Sequence, residues 1–308
     1  SSPPQVKLLQ VWQPLDVPEA IATVKQHGFT GILVKTLDGP NWMRTFDPAG
    51  IASQSHAAAV VTQCEAEGIK CAFWTVPKPE MWELQADQAG ALTYLGPLFL
   101  DVEPYPQFWG AWQPMGLAEA FMLRLRGNAA PGAFVVFQPD PRSARLEELR
   151  PYEWISHCDA IAGQHYWTDF QSDPRNELAW ATRIGERFQK PVWPTLPGNA
   201  PPSSFPVDAI EQFPGFVVWR MGTTSQEVLS LLGVINPEPE ENPIVIAKLE
   251  AQVLGLKTAL ADVTRGDVSS SLRDELERRS ASGRLIPVRH SVVRNAVNRL
   301  TVVGDQFL

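Results

Sequence analysis

Short apolar runs rich in β-branched and aromatic residues recur along the first two thirds of the chain. They lie at 6–12 (VKLLQVW), 31–35 (GILVK), 69–74 (IKCAFW), 98–103 (LFLDVE), 133–138 (AFVVFQ), 159–166 (DAIAGQHY), 191–196 (PVWPTL) and 216–221 (FVVWRM). None alternates strictly with polar residues, which is the pattern of parallel strands buried on both faces. Segments of helical pattern separate them, at 18–27, 51–67, 116–127, 143–150, 175–188, 206–213 and 224–233. The stretch between the third and fourth strands is less regular. Strand ends recur about every 30 residues, the length of a βα unit. Eight such units predict an α/β fold, a (β/α)8 TIM barrel with right-handed crossovers. An open doubly wound sheet is the competing architecture, but it would carry a glycine-rich phosphate loop after its first strand. Here that strand runs into Trp12-Gln13-Pro14.

The barrel is expected to occupy residues 1–233. The acidic, proline-rich run 234–243 (VINPEPEENP) reads as a linker. In 244–308, Ile246, Leu249, Val253, Leu256, Leu260 and Val263 are spaced as a heptad seam, which predicts a helical, coiled-coil appendage or a helix folded back on the barrel. Ser271-x-x-Asp274 suits a helix cap, and Val288, Val292, Val293, Ala296, Val297 and Leu300 make an apolar stripe on a last helix. This appendage is the expected route to a homo-oligomer.

Charge narrows the partners. The 308 residues carry a net charge of −8, with 10 basic and 7 acidic side chains in 244–308, so the barrel portion holds the whole acidic excess. Such a body repels phosphate backbones, and no nucleic-acid partner is expected. No apolar run is long enough for a membrane span and no signal peptide is visible, so the compartment stays open: extracellular or virion-associated if the substrate is cell wall. Three cysteines (Cys64, Cys71 and Cys158) lack zinc-type clustering and read as buried thiols.

In a barrel of this kind the working groups sit at the C-terminal ends of strands. The fourth strand ends Leu98-Phe99-Leu100-Asp101-Val102-Glu103-Pro104-Tyr105, with two carboxylates at i and i+2 where the apolar run stops. Side chains two apart share a strand face, roughly 6–7 Å from each other. In a partly dry site two such acids cannot both ionise freely, so one becomes a candidate general acid. The alternative is that Asp101 caps backbone or pairs with Lys35 or Arg220 while Glu103 faces solvent. Other strand ends carry Trp12, Lys35 with Asp38, Trp74, Gln138 followed by Asp140, Gln164-His165-Tyr166-Trp167, Trp193 and Trp219. With Tyr105 added and Asp140 left aside, these are the candidate substrate-binding residues: aromatic faces stack on sugar rings, while Gln, Tyr and His bond hydroxyls. No second His or Cys stands at ligand spacing from His165, so no metal is expected, and catalysis by a carboxyl pair requires no organic cofactor.

GFTGILVKTLDG resembles the second-strand motif of the family 25 glycoside hydrolases, the N,O-diacetylmuramidase type of lysozyme. AEGIKCAFW resembles that family's third strand, LDVE its catalytic fourth and VVWRMG its closing strand. The likeness spans about 220 residues in short, degenerate motifs. It implies a glycoside-hydrolase-like TIM barrel acting on peptidoglycan, with Glu103 as proton donor and Asp101 orienting the substrate acetamido group or stabilising the oxocarbenium-like transition state. The family also places an Asp at the end of its first strand, where this chain has Leu9-Gln10-Val11-Trp12-Gln13 and no acid before Asp16.

Three functions are therefore in contention. The first is hydrolysis of peptidoglycan or another N-acetylated glycan polymer by carboxylate acid catalysis. The second is a non-catalytic glycan-binding or structural barrel, as in a phage tail, fibre or cell-surface assembly, multimerised by the C-terminal helices. The third is another barrel enzyme, an isomerase or aldolase, with Lys35 as Schiff-base amine, although a Lys–acid pair across the barrel competes for that lysine.

Overall fold

The computed structural model describes residues 6–12 and 17–235. Asp16, most of the linker, the heptad seam and the final apolar stripe lie outside the described residues.

Eight parallel strands follow in chain order: β1 (Val6–Val11), β2 (Gly31–Asp38), β3 (Lys70–Val76), β4 (Leu98–Val102), β5 (Val135–Pro139), β6 (Ala160–Ile161), β7 (Thr195–Pro197) and β8 (Gly215–Trp219). Their order in the sheet is β6-β5-β4-β3-β2-β1-β8-β7, and the short strand Asn41–Trp42 pairs antiparallel with β2. The two ends of this order meet. Parallel bridges link Ile161 to Val192 and Gln164 to Thr195, and the Trp193 and Thr195 amides donate to Ile161 and Gly163 carbonyls, each at 2.8 Å. The sheet thus curls round with its helices outside, an α/β barrel.

Period-two alternation sorts each strand between two cores. Leu8, Leu33, Ala72, Phe99, Val136, Ala160, Ala162 and Val217 form one buried cluster inside the curl. Their neighbours, among them Leu9, Ile32, Phe73, Leu100, Phe137, Ile161 and Phe216, belong to a larger cluster shared with the helices. Both faces are apolar, which is why the strands read as unbroken hydrophobic runs.

Three helices begin on side-chain caps that relieve unpaired N-terminal amides. Ser53 accepts from His56 N before Gln54–Ala66, Asp173 from Arg175 N and Asn176 N before Pro174–Phe188, and Ser225 from Val228 N before Gln226–Gly233. The irregular stretch between β3 and β4 proves to hold a helix, Trp82–Leu92. It buries Gln85, Ala86, Ala89, Gly90 and Leu92 and packs on the helix Leu117–Asn128. A Cβ on Gly90 would stand 2.8 Å from the Leu125 carbonyl, so close helix approach is achieved here with small residues instead of a large apolar stripe. The cysteines are free and buried, and burial pushes the Cys158 thiol up to about 12. No helix among the described residues is long and apolar enough to cross a membrane.

Candidate active site

Above the apolar inner cluster most of the strands turn polar, while β3 and β8 carry Trp74 and Trp219 there. Gln10, Lys35, Asp101, Gln138, Gln164 and Thr195 are buried there, and Gln10, Lys35, Asp101 and Gln164 line a cavity of about 330 Å³ at the C-terminal ends of the strands. Glu103, one step beyond the end of β4, lines it too. The Gln164 amide ties the acids together: Nε2 donates to Asp101 Oδ1 at 2.8 Å and to Glu103 Oε1 at 3.2 Å, with the Gln138 carbonyl at 3.4 Å. Asp101 and Glu103 are therefore neither splayed apart nor sealed from the opening.

Burial pushes the Asp101 carboxyl well above the usual carboxylate range, and the neighbouring Glu103 charge adds to the rise while Lys35 opposes it. Burial raises Glu103 as well, against the Gln164 hydrogen bond that favours its charged form. Asp101 is only 7% exposed and lies beneath; Glu103 is half-buried and reachable. Such a pair stores protons at pH values where exposed carboxyls have lost theirs.

Aromatic rings make the walls. Trp219 touches Trp12, Trp74 and Tyr166, with ring centroids 6.1, 5.9 and 6.5 Å apart. Trp74 is pinned by its Nε1 donating to the Val11 carbonyl at 3.2 Å. Tyr166 is held far above the ordinary phenol range by burial, reinforced by the Asp101 and Glu103 charges. Close approach of the loop after β7 steadies Trp219: the Gly198 amide donates to its carbonyl, and a Cβ on Gly198 would lie 1.9 Å from Thr224 Oγ1.

Of the residues singled out from sequence, Asp101, Glu103, Trp12, Lys35, Trp74, Tyr105, Gln164, Tyr166 and Trp219 are brought together in the cavity lining. Five are elsewhere. Asp38 sits behind Lys35, pairing with its Nζ at 2.9 Å and with Lys78 Nζ at 2.5 Å; burial works to raise its carboxyl, but the two lysines hold it below its ordinary value. Gln138 is buried in the barrel interior beside the lining, its Nε2 donating to Gln10 Oε1 at 3.1 Å and Thr195 Oγ1 at 3.0 Å. His165 follows inward-facing Gln164 and so points outward, fully buried, with Nδ1 3.3 Å from Glu177. Trp167 starts the short helix Trp167–Phe170 and packs in the outer core against Phe205. Trp193 points into the curl at a lower level, stacked on Phe134 with centroids 5.2 Å apart. Lys35 bonds to an acid three residues on, not across the barrel, and its ammonium lies over Trp74 at 4.9 Å and Trp12 at 5.7 Å.

Five lining residues were not singled out as site residues: Gln10, Phe108, Asp140, Arg142 and Phe170. Asp140 and Arg142 carry a signal, an acid and a base two apart immediately after a strand, with Pro139 before the acid and Pro141 between the two. Among the described residues no cluster of three His, Cys, Asp or Glu could hold a metal ion.

Neither a family model nor a curated protein matches this sequence. Solved structures do match in fold. A GH26-CBM35 β-(1,4)-mannanase of Podospora anserina superposes with a TM-score of 0.50 at 14% identity, covering 76% of this chain and 62% of its own. The mannotriose complex of a Thermomonospora fusca β-mannanase gives 0.50 at 13% identity over 74% and 82% of the two chains. A protein described as glycoside hydrolase-like gives 0.50 at 8% identity over 75% and 94%. At these identities the likeness is one of fold alone: the chain shares an α/β barrel with these proteins.

Proposed function

We propose that this barrel hydrolyses an N-acetylated glycan, with peptidoglycan as the first candidate because of the lysozyme-type motifs on strands two, three, four and eight. One observation carries the reading: Gln164 draws the Asp101 and Glu103 carboxyls together at the floor of an aromatic-walled cavity. Glu103, raised by burial and open to the cavity, protonates the leaving glycosidic oxygen. Asp101 supports the positive charge growing at the anomeric carbon, directly or through the acetamido group. A cation developing beside it favours the ionised form that the resting site suppresses, so the interaction strengthens toward the transition state. Trp12, Trp219 and Tyr166 offer faces for sugar rings.

Turbidity of purified cell walls should fall with the wild-type protein and stay constant with Glu103→Gln; identical behaviour of the two overturns the assignment. Soluble chito-oligosaccharides and β-mannan belong in the same panel, the latter because two structural neighbours are mannanases.

A second reading, a non-catalytic glycan-binding or structural barrel, is favoured by Gln10, which lines the cavity on the first strand where the lysozyme-type pattern calls for an acid. It predicts glycan binding without cleavage. Its multimeric form, built through residues 244–308, predicts a mass above one chain in light scattering of the full protein.

A further inference from the structure

Asp140 and Arg142 stand in the wall of the same cavity as Glu103. Arg142 grips Asp140 with a fork, Nε to Oδ1 at 3.0 Å and Nη2 to Oδ2 at 2.5 Å, while its own backbone amide donates to Oδ1 at 3.1 Å. The Tyr105 hydroxyl closes the triangle, donating to Asp140 Oδ2 at 2.8 Å and accepting from Arg142 Nη2 at 2.5 Å. The guanidinium also lies over the Phe170 ring, 4.4 Å from its centroid. Asp140 is 4% exposed, and prolines on both sides limit its backbone. This is a hydrogen-bonded charge couple, with Asp140 buried and Arg142 exposed at the rim, on the side of the cavity away from Lys35.

Resting on the glycosidase reading of this cavity, we propose that Asp140 and Arg142 are positioning residues for Glu103, an ion pair whose two charges oppose each other at the acid while its hydrogen bonds fix the Tyr105 hydroxyl in the wall. The titratable groups around Glu103 are Asp101 at the end of β4, Asp140 and Arg142 beyond β5, and the neutral phenols of Tyr105 and Tyr166, with Lys35 of β2 acting on Asp101. Asp140 opposes ionisation of Glu103 and Arg142 favours it. Each charge therefore offsets part of the field that the other puts on Glu103. Dividing the pair must move Glu103 in opposite directions according to which half is removed.

The test is a carbon-13 NMR titration of the full-length protein labelled at glutamate carboxyls, with the Glu103 signal assigned by its loss in Glu103→Gln. Arg142→Gln should carry the Glu103 midpoint to higher pH and Asp140→Asn to lower pH, each by roughly half a unit or more, and the double variant should fall between the two single variants. Arg142→Lys, which keeps the cation without the fork, should leave the midpoint near wild type and guards against misfolding of Arg142→Gln. Single variants that shift the midpoint the same way, or leave it in place, overturn the proposal. Because the titration needs no turnover, a cell-wall assay without activity would remove the glycosidase reading alone, whereas same-sign shifts would remove the charge pair alone.

Discussion

Replacing Gln164 by Leu should destabilise the protein by an amount that grows with pH. The amide makes one short bond, 2.8 Å to Asp101 Oδ1, a longer one of 3.2 Å to Glu103 Oε1, and a marginal contact with the Gln138 carbonyl at 3.4 Å. Leucine fills similar volume, so the cavity penalty is small and the lost donor dominates. At low pH both carboxyls are neutral, and a neutral hydrogen bond is worth about 0.5–1.5 kcal/mol. At high pH the pair carries charge, and a bond to a charged group is worth about 1.5–3 kcal/mol. The sign follows from linkage. Both native carboxyls titrate above their unfolded values, so the folded state holds more protons and wild-type stability falls as pH rises from the unfolded carboxylate range through the native one. Removing the amide withdraws support from the charged form and deepens that fall. Urea denaturation of wild type and Gln164→Leu at pH 4 and pH 8, followed by tryptophan fluorescence, should give destabilisations that differ by about 1 to 1.5 kcal/mol between the two pH values. Equal losses at both, or a greater loss at pH 4, would mean that Gln164 only fills space.

Asp101→Asn should behave oppositely. Near pH 4 an amide stands in for a protonated carboxyl and the thermal midpoint stays near wild type, but at pH 8 the variant escapes the cost of a buried acid and melts higher, each kcal/mol being worth about 2–4 °C in a domain of this size; a variant that melts lower at pH 8 refutes this. Trp154→Ala removes a fully buried ring that sits 4.8 Å from Trp109 and is stacked on Phe137 at 5.9 Å, outside the site. It should cost about 3–5 kcal/mol in urea denaturation while leaving the Glu103 titration unchanged, and a loss below about 1 kcal/mol would contradict the packing described.

Much of the barrel could be read from sequence because strands buried on both faces advertise themselves as apolar runs, and because an acid pair at i and i+2 can only share a face. What escaped depended on depth and on neighbours. Adjacency groups His165 and Trp167 with Gln164, but alternation sends His165 outward and a helical turn carries Trp167 into the outer core. Trp193 faces inward yet belongs to a layer below the opening, and strand ends alone do not fix the level. The helix Trp82–Leu92 contacts its neighbour through Ala and Gly, residues that leave no hydrophobic stripe. Asp140 and Arg142 matter as a couple with Tyr105, 35 residues earlier than Asp140, and such a triangle exists only after β4 and β5 pair.

The inner cluster and the polar residues above it are consecutive tiers of the same strands, yet they answer to different demands. Leu8, Leu33, Phe99, Val136 and Val217 hold the cylinder's foundation together whatever chemistry is practised above. Exchanging the upper tier, beginning with Gln10, would let this scaffold be re-equipped for another reaction with its footing intact.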